Sequence, residues 1–296
     1  MMLKLNLLKI LEHGVSVVKI WSDHFNSVCE NAPRLPLEET VIEYLSNNSY
    51  KDDYNIMDIG LVYACNAWGI QGANDYLNNI IKNISMQKTK IFVSQHIWSS
   101  HLHFGDNRLV FSCHAGNNNH IPIPLYSMHY KNLNQKKEKD FGFLGALGTN
   151  PIRKSLKDLF PNKVHAAKYG WNLEKDEDNH KKYIDHLNKN YFSLCPRGTG
   201  PGSIRLYESM GCGCIPIIIS DDYKKPLDWY LNWDDFSITI MESEIACIPD
   251  IINNIPDDEI EKMSETSNNV FQKYFSPERI YSIVEMEIDR NTGKRD

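Results

Sequence analysis

The sequence predicts an α/β protein made of two open-sheet domains in succession. Three observations lead there. From residue 59 onward, short apolar runs alternate with segments of helical spacing, the rhythm of a parallel sheet covered by helices. Within 190–240 the order is strand, glycine loop, helix, strand, which is a βαβ unit. Between these regions lies KNLNQKKEKD (131–140), the most polar and linker-like stretch of the chain. The boundaries drawn from this are 1–135, 136–275 and a closing segment 276–296.

Taken in order, residues 1–50 are hard to parse, with Pro33 and Pro36 breaking the pattern. LKLNLLKILEHGVSVVKIW is interrupted by Lys4, Lys9, Glu12 and His13 and lacks the cleavage pattern of a signal peptide, so it reads as a packed strand or amphipathic helix. Leu37 to Leu45 has helical character. Ile59 to Tyr63 reads as a buried strand, 66–72 as a loop, and Ala73 to Ile84 as a helix with Tyr76, Leu77, Ile80, Ile81 and Ile84 at helical spacing. Lys90–Val93 and Leu109–Cys113 are strands, joined by the histidine-rich SQHIWSSHLHFGDN. Pro122 and Pro124 keep HIPIPL extended. Past the linker, FGFLGAL reads as a strand and Pro151–Phe160 as a helix whose proline suits the first turn. Ala166–Trp171 reads as a strand and His180–Leu187 as a helix. Next come strand 191–194, helix 203–210 and strand 215–219. Segments 257–274 and 277–288 read as closing helices.

Composition narrows the function classes. Over 296 residues, 42% hydrophobic and 24% charged content is that of a soluble globular protein. A net charge of −6 argues against a general nucleic-acid binder. No run approaches the roughly 18 apolar residues of a membrane helix. The seven cysteines are scattered and odd in number, which argues against a disulfide framework and for a reducing compartment, the cytoplasm. Cys212-Gly-Cys214 has no second Cys/His pair at finger spacing and reads as packing.

The chemistry concentrates in 190–240. Gly198, Gly200 and Gly202 with Ser203 precede a helix, so backbone N–H groups and the helix dipole can face an anion. Ser203 suits the N-cap. Arg205 lies in the first turn, where a guanidinium grips a phosphate bidentately. Glu208 is one turn on and can accept from vicinal ribose hydroxyls. The loop lacks the Gly-Lys-Ser/Thr of a P-loop and matches GxGxxG poorly, which speaks against a dehydrogenase. Arg153, after GALGTNP, is a second anion contact. His96, His101, His103, His114 and His120 cluster in strand ends and loops of the first half; a general base or sugar-hydroxyl contact is the sharper reading and exposed loop histidines the blander one. Their spacing, with Asp106, fits no standard metal pattern. Asp176-Glu-Asp178 sits in a highly charged segment and reads as a solvated loop. Trp229 and Trp233 with Asp228, Asp234 and Asp235 form an aromatic and acidic patch that suits a sugar, though tryptophans are as often core.

Phe192, Leu194, Pro196, Gly198, then Ser203, Arg205, Glu208, then Gly213, Cys214, Ile215, Pro216, then Pro226, Trp233 and Phe236 follow one another in an order that resembles the signature region of the exostosin family of glycosyltransferases. HIPIPL and FLGALGTNPIRKSL resemble its upstream elements, so the likeness runs from about His120 to Ile240. The resemblance implies a GT-B fold: two Rossmann-like domains facing a cleft, with a C-terminal helix crossing back. The first domain would hold the acceptor glycan and the second a nucleotide-sugar, UDP-xylose or a UDP-hexose. Ser203, Arg205 and Arg153 would bind the diphosphate and Glu208 the ribose, with inversion at the sugar and no metal or other cofactor required. Many members carry a His-Asp pair in the first domain. Here Ile97 follows His96, so the base is assigned to His96, then His103 or Asp106. Animal and plant members usually carry a membrane anchor; the expectation here is a soluble bacterial or large-virus type, cytoplasmic (in the host if viral), with room for peripheral membrane contact. A non-catalytic glycan- or nucleotide-binding protein of the same fold is the alternative.

Overall fold

The structure, a computed structural model, describes residues 37–84, 87–116, 119–127, 130, 135–167 and 177–293. The N-terminal segment, Asp176 and most of the strand expected at Ala166–Trp171 lie outside them. The chain forms two compact units, Met1–Tyr126 with Val284–Asp296, and Ser127–Ile283.

The first unit contains helix α1 (Leu37–Asn47), strand β1 (Tyr54–Ile56), helix α2 (Leu61–Ile81) and strands β2 (Thr89–Ser94), β3 (Arg108–Ser112) and β4 (Ile121–Pro122). The strands pair in parallel, in the order β1-β2-β3-β4. Five of the six residues of β2 are buried, as expected for a strand covered on both faces. The strand expected at Ile59–Tyr63 is instead the start of α2. Gly60 takes a left-handed conformation (φ 54°), and Leu61, Ala64 and Cys65 fall on one helical face of the core. The strand is the three-residue β1, earlier in the chain. The expected loop at 66–72 is a kink inside α2, where Gly69 has φ 64° and ψ −177°.

The second unit contains β5 (Glu138–Gly145), α3 (Pro151–Leu159), β6 (Val164–Ala166), α4 (Glu177–Lys189), β7 (Asn190–Pro196), α5 (Ile204–Gly211), β8 (Ile215–Ile219), β9 (Ile238–Ile240), α6 (Ile248–Asn254) and α7 (Asp257–Val270). The order is β6-β5-β7-β8-β9, all parallel. From β5 the chain moves outward to β6, then returns to the other side of β5 to lay down β7. That reversal opens a crevice between the carboxyl ends of β5 and β7, the topological switch point at which open α/β sheets bind ligands. One face of the sheet packs Phe141, Phe143, Phe192, Leu194, Ile217 and Ile219 against α3, α6 and α7. Cys212 and Cys214 are buried free thiols packed with Leu187 and Tyr183 of α4, and burial pushes Cys212 up to about 12.

The last helix, α8 (Ile280–Thr292), begins in the second unit, and from Val284 its residues belong to the first. There Glu285 accepts hydrogen bonds from Tyr44 Oη (2.6 Å) and Tyr50 Oη (3.2 Å). Among the described residues no helix is long and apolar enough to cross a membrane.

Candidate functional site

The crevice between β5 and β7 gathers most of the donor-binding residues expected from sequence. Asn150 caps α3 by accepting from Ile152 N (3.0 Å), and its amide donates to Gly198 O (3.2 Å). The cap therefore also holds the glycine loop. Arg153, one turn into α3, donates to Ala146 O (3.0 Å), Arg197 O (2.9 Å) and Pro196 O (3.1 Å). It ties the lip that follows β5 to the lip that follows β7. A guanidinium has five N–H bonds, so two remain after these three. Gly198 lets this side chain approach: a Cβ there would lie 3.3 Å from Arg153 Nη2.

Arg205 stands differently. It is buried on α5, with its guanidinium 4.4 Å from the Phe143 ring centroid and 4.6 Å from that of Tyr183. Its Nη2 donates to Leu144 O, while Nη1 is buried with no partner. An unpaired N–H on a buried cation is costly, and native sites rarely keep one without a ligand to receive it. Arg153 also faces the Phe143 ring, at 5.2 Å. Burial, and then the neighbouring charge of Arg205, lower Arg153 to about 10. Two guanidiniums face one ring, and among the described residues neither is in a salt bridge, so the pair presents positive charge that attracts an anion.

Gly200 and Gly202 are buried in the loop that leads to α5. Ser203 is its N-cap residue in extended conformation and makes no side-chain capping bond, so its hydroxyl is not committed to the helix. Glu208 is buried and accepts from Tyr183 Oη, which turns its carboxylate toward α4. Two further polar groups mark this edge of the sheet. Arg197 pairs with Asp222 (3.1 Å) and Glu242 (3.6 Å), yet its buried Nε has no partner. Ser220, directly after β8, has a buried hydroxyl without a partner. Neither was singled out from sequence. A polar residue directly after a wholly apolar strand was the signal available for Ser220, and an arginine beside the first loop glycine the signal for Arg197.

A family model, the exostosin GT47 domain, matches residues 61–255, which is well over half of the chain and spans this crevice. The chain belongs to the exostosin GT47 family. Relatives of that name include an exostosin-1 homolog of Caenorhabditis elegans, 28% identical over 109 residues, covering 37% of this chain and 28% of that protein. A probable glycosyltransferase of Arabidopsis thaliana is 25% identical over 203 residues, 61% of this chain and 39% of its own length. A probable glucuronoxylan glucuronosyltransferase of the same plant is 36% identical over 73 residues, 25% and 16%. The exostosin chain thus spans less than half the length of these curated relatives. Among solved structures, a variant of S. aureus TarM in complex with fondaparinux, alpha-GlcNAc-glycerol and UDP is 14% identical with TM-score 0.41, covering 84% of this chain and 57% of that one. A glycosyltransferase from Rickettsia africae is 13% identical with TM-score 0.40, covering 90% and 84%. The chain's own two parallel sheets and its family match define the fold.

The expected base candidates of this exostosin member lie in the first unit and do not come together. His96 follows the carboxyl end of β2. Its Nδ1 accepts from Trp98 N (3.1 Å), which puts the ring proton on Nε2, facing Asn66 Oδ1 at 3.1 Å. Burial lowers its pKa. Both nitrogens are therefore engaged, and His96 can take a proton only at Nδ1, after releasing the Trp98 amide. His103 is exposed, with its backbone N–H held by Asn74 Oδ1 at 2.8 Å. Asp106 is exposed, and its carbonyl accepts from Lys90 Nζ at 2.9 Å. Lys90 is the second residue of β2, so Asp106 lies at the amino end of the sheet, opposite His96. His114, after β3, is buried with an unpartnered Nδ1; burial, then His96, lower it to about 4.

At the amino end of α2 the first unit places Glu38. This buried carboxylate accepts from Gln95 N (3.1 Å) and Val62 N (3.4 Å), and burial pushes it up to about 7. Gln95 Oε1 in turn accepts from Leu37 N at 3.1 Å, so Glu38 and Gln95 clasp each other beside His96.

Proposed function

We propose that this exostosin chain is an inverting glycosyltransferase that moves a sugar from a UDP-sugar, UDP-xylose or a UDP-hexose, to a hydroxyl of a glycan acceptor. The observation that carries the reading is the buried, unpartnered Nη1 of Arg205 at the switch point, beside the glycine loop and the amino end of α5. A diphosphate there would receive that N–H, the free N–H bonds of Arg153, the Ser203 hydroxyl and the first amides of α5. In a single displacement the acceptor hydroxyl attacks the anomeric carbon, and the sugar–phosphate bond breaks on the opposite face. The negative charge that grows on the leaving diphosphate meets donors fixed in advance, which is worth more than donors that must reorganise. This arrangement supports departure of the diphosphate without a metal. Glu208, oriented by Tyr183, would receive the ribose hydroxyls.

The proton of the acceptor goes to a base of the first unit. His96 is proposed for this role through Nδ1, its unprotonated nitrogen, with release of the Trp98 amide as the preceding step. The engagement of both its nitrogens favours a second reading, a nucleotide-binding protein that keeps the fold without turnover. One experiment separates them. Thermal shift with UDP-xylose, UDP-glucose, UDP-galactose, UDP-glucuronate and UDP-N-acetylglucosamine identifies the donor, and UDP release is then followed over a panel of oligosaccharide acceptors. Donor binding with acceptor-dependent UDP release supports the transferase. Binding without release on any acceptor supports the second reading, and no binding of any nucleotide overturns both.

A further inference from the structure

The aromatic and acidic segment after β8 is not absorbed by the donor crevice. The structure divides its two tryptophans. Trp233 is core: it is buried, donates its indole N–H to Pro226 O (3.0 Å) and packs on Phe236 and Phe275. Trp229 is half-buried and lies beside Tyr230, the ring centroids 5.6 Å apart. Tyr274, from the π turn after α7, completes the group. Its ring lies 5.8 Å from that of Tyr230 at an interplanar angle of 78°, and its hydroxyl is 3.4 Å from the Tyr230 hydroxyl. Tyr230 is 52% exposed, one of three large hydrophobic side chains so placed among the described residues.

The backbone is strained to hold this group up. Leu227 is wholly buried and adopts φ 54°, a left-handed conformation that a branched side chain rarely takes. Its carbonyl accepts from Tyr230 N (2.9 Å) and Leu231 N (2.8 Å), and so sets the turn that carries Trp229 and Tyr230. Asp228, Asn232, Asp234 and Lys273, close to these residues along the chain, are all exposed, and Lys273 Nζ lies 5.0 Å over the Tyr274 ring.

From this geometry we infer that Trp229, Tyr230 and Tyr274 form a docking surface for a pyranose chain, a stretch of the glycan acceptor outside the reacting residue. Rings set at an angle offer stacking faces to the C–H surface of a pyranose. The neighbouring carboxylates, amide and ammonium meet its hydroxyls, which both donate and accept. A protein partner fits less well: three partly exposed rings offer on the order of 300 Å², below the roughly 800 Å² per partner of a stable interface. The inference extends the transferase reading, and its main readout, glycan binding, needs no nucleotide, so that the two can fail separately.

The test is affinity electrophoresis of the whole chain through gels containing xylan or hydroxyethyl cellulose, with titration calorimetry against xylohexaose and cellohexaose. Retardation in at least one gel is expected. Tyr230→Ala should weaken binding about tenfold, Tyr230→Phe should retain it, and the thermal shift produced by UDP should be the same in all three proteins. Tyr230 is exposed, so its variants keep the fold. The inference is overturned by absence of retardation in both gels, by undiminished binding in Tyr230→Ala, by competition from UDP, or by self-association that the alanine variant abolishes. Glycan retention by a chain that binds no UDP would leave the surface standing and remove the donor reading instead.

Discussion

The two units of this exostosin chain pose the same electrostatic problem and answer it differently. Each has a helix whose amino end opens at the carboxyl edge of a parallel sheet, where unpaired N–H groups and the helix dipole favour an anion. In the first unit the chain fills that position itself: Glu38 from α1 accepts from Val62 N at the start of α2 and from Gln95 N after β2. In the second unit the corresponding helix, α5, has a capping serine with an uncommitted hydroxyl and a buried arginine with an unpaired N–H. The topologies differ in the same sense. The described strands of the first sheet succeed one another in one direction, whereas the second sheet reverses at β5 and opens a crevice. The first position is closed by a carboxyl group of the chain itself, whereas the second keeps buried positive charge, which is what an anionic ligand would require.

The largest expected effect tests the open site. Arg205→Ala should lower transfer by about 10²-fold or more, the usual cost of removing a preorganised donor to developing charge. It should also abolish the rise in melting temperature produced by UDP. Because Arg205 packs between Phe143 and Tyr183, the midpoint without ligand will move as well, so the measurement is the difference with and without UDP. A full UDP response in the variant would dissolve the contrast between the units. Arg153→Ala should act on another quantity. Three carbonyls lose their donor, and a loss of about 2–3 kcal/mol in unfolding free energy is expected, read by urea denaturation. Arg205→Ala should show a smaller stability loss and the larger UDP effect; the reverse ranking would exchange the roles of the two arginines.

Much of this site was legible in the sequence, and what was not has one cause. The glycine loop, Ser203, Arg205 and Glu208 are neighbours along the chain, and their order alone indicated a helix amino end beside a strand. Strand β8 is a continuous apolar run, β2 and β7 are largely apolar at their centres, and α3 opens with a proline, so local pattern defined them. The strand β1 was missed because it spans three residues and the richer apolar run beside it belongs to α2. The role of Arg153 as a tether was beyond reach for another reason. Its partner Pro196 is 43 residues away and arrives only when β7 pairs with β5. The same holds for Tyr183, which meets Glu208 from α4. The direction of Asp106, at the amino end of the sheet, likewise follows from strand order rather than from the segment that contains it.

The closed site gives the next effect, a dependence on pH. Glu38 is raised from 4.5 to about 7 by burial. Between those values the folded chain retains a proton that the unfolded chain has released, so stability falls as pH rises through the window. The full effect is up to about 3 kcal/mol, since each tenfold change in proton affinity is worth about 1.4 kcal/mol. Glu38→Gln keeps the shape and an acceptor oxygen without a charge to bury. Its unfolding free energy should show a flatter pH dependence from about pH 4.5 to 7, and it should match or exceed the parent chain at about pH 8. An unchanged slope would mean that the carboxyl group is not the plug of the first unit.

The smallest effect concerns how finely the open site is fitted. Gly198 has no left-handed backbone to protect, since its φ is not positive. A methyl group there meets Arg153 Nη2 at 3.3 Å and Thr149 Oγ1 at 3.7 Å, a contact tight at one point and ordinary at the other. The guanidinium is held by three carbonyls and can yield only a few tenths of an ångström without losing one. Gly198→Ala should therefore cost less than about 1 kcal/mol of stability. It should weaken UDP binding several-fold, because the loop amides shift with the guanidinium they enclose. Urea denaturation and UDP titration of the same preparation decide the matter: a several-fold loss of UDP affinity with near-parental stability locates the ligand against this loop, whereas a loss of stability alone would make the glycine a packing residue and move the diphosphate toward Ser203 and Ser220.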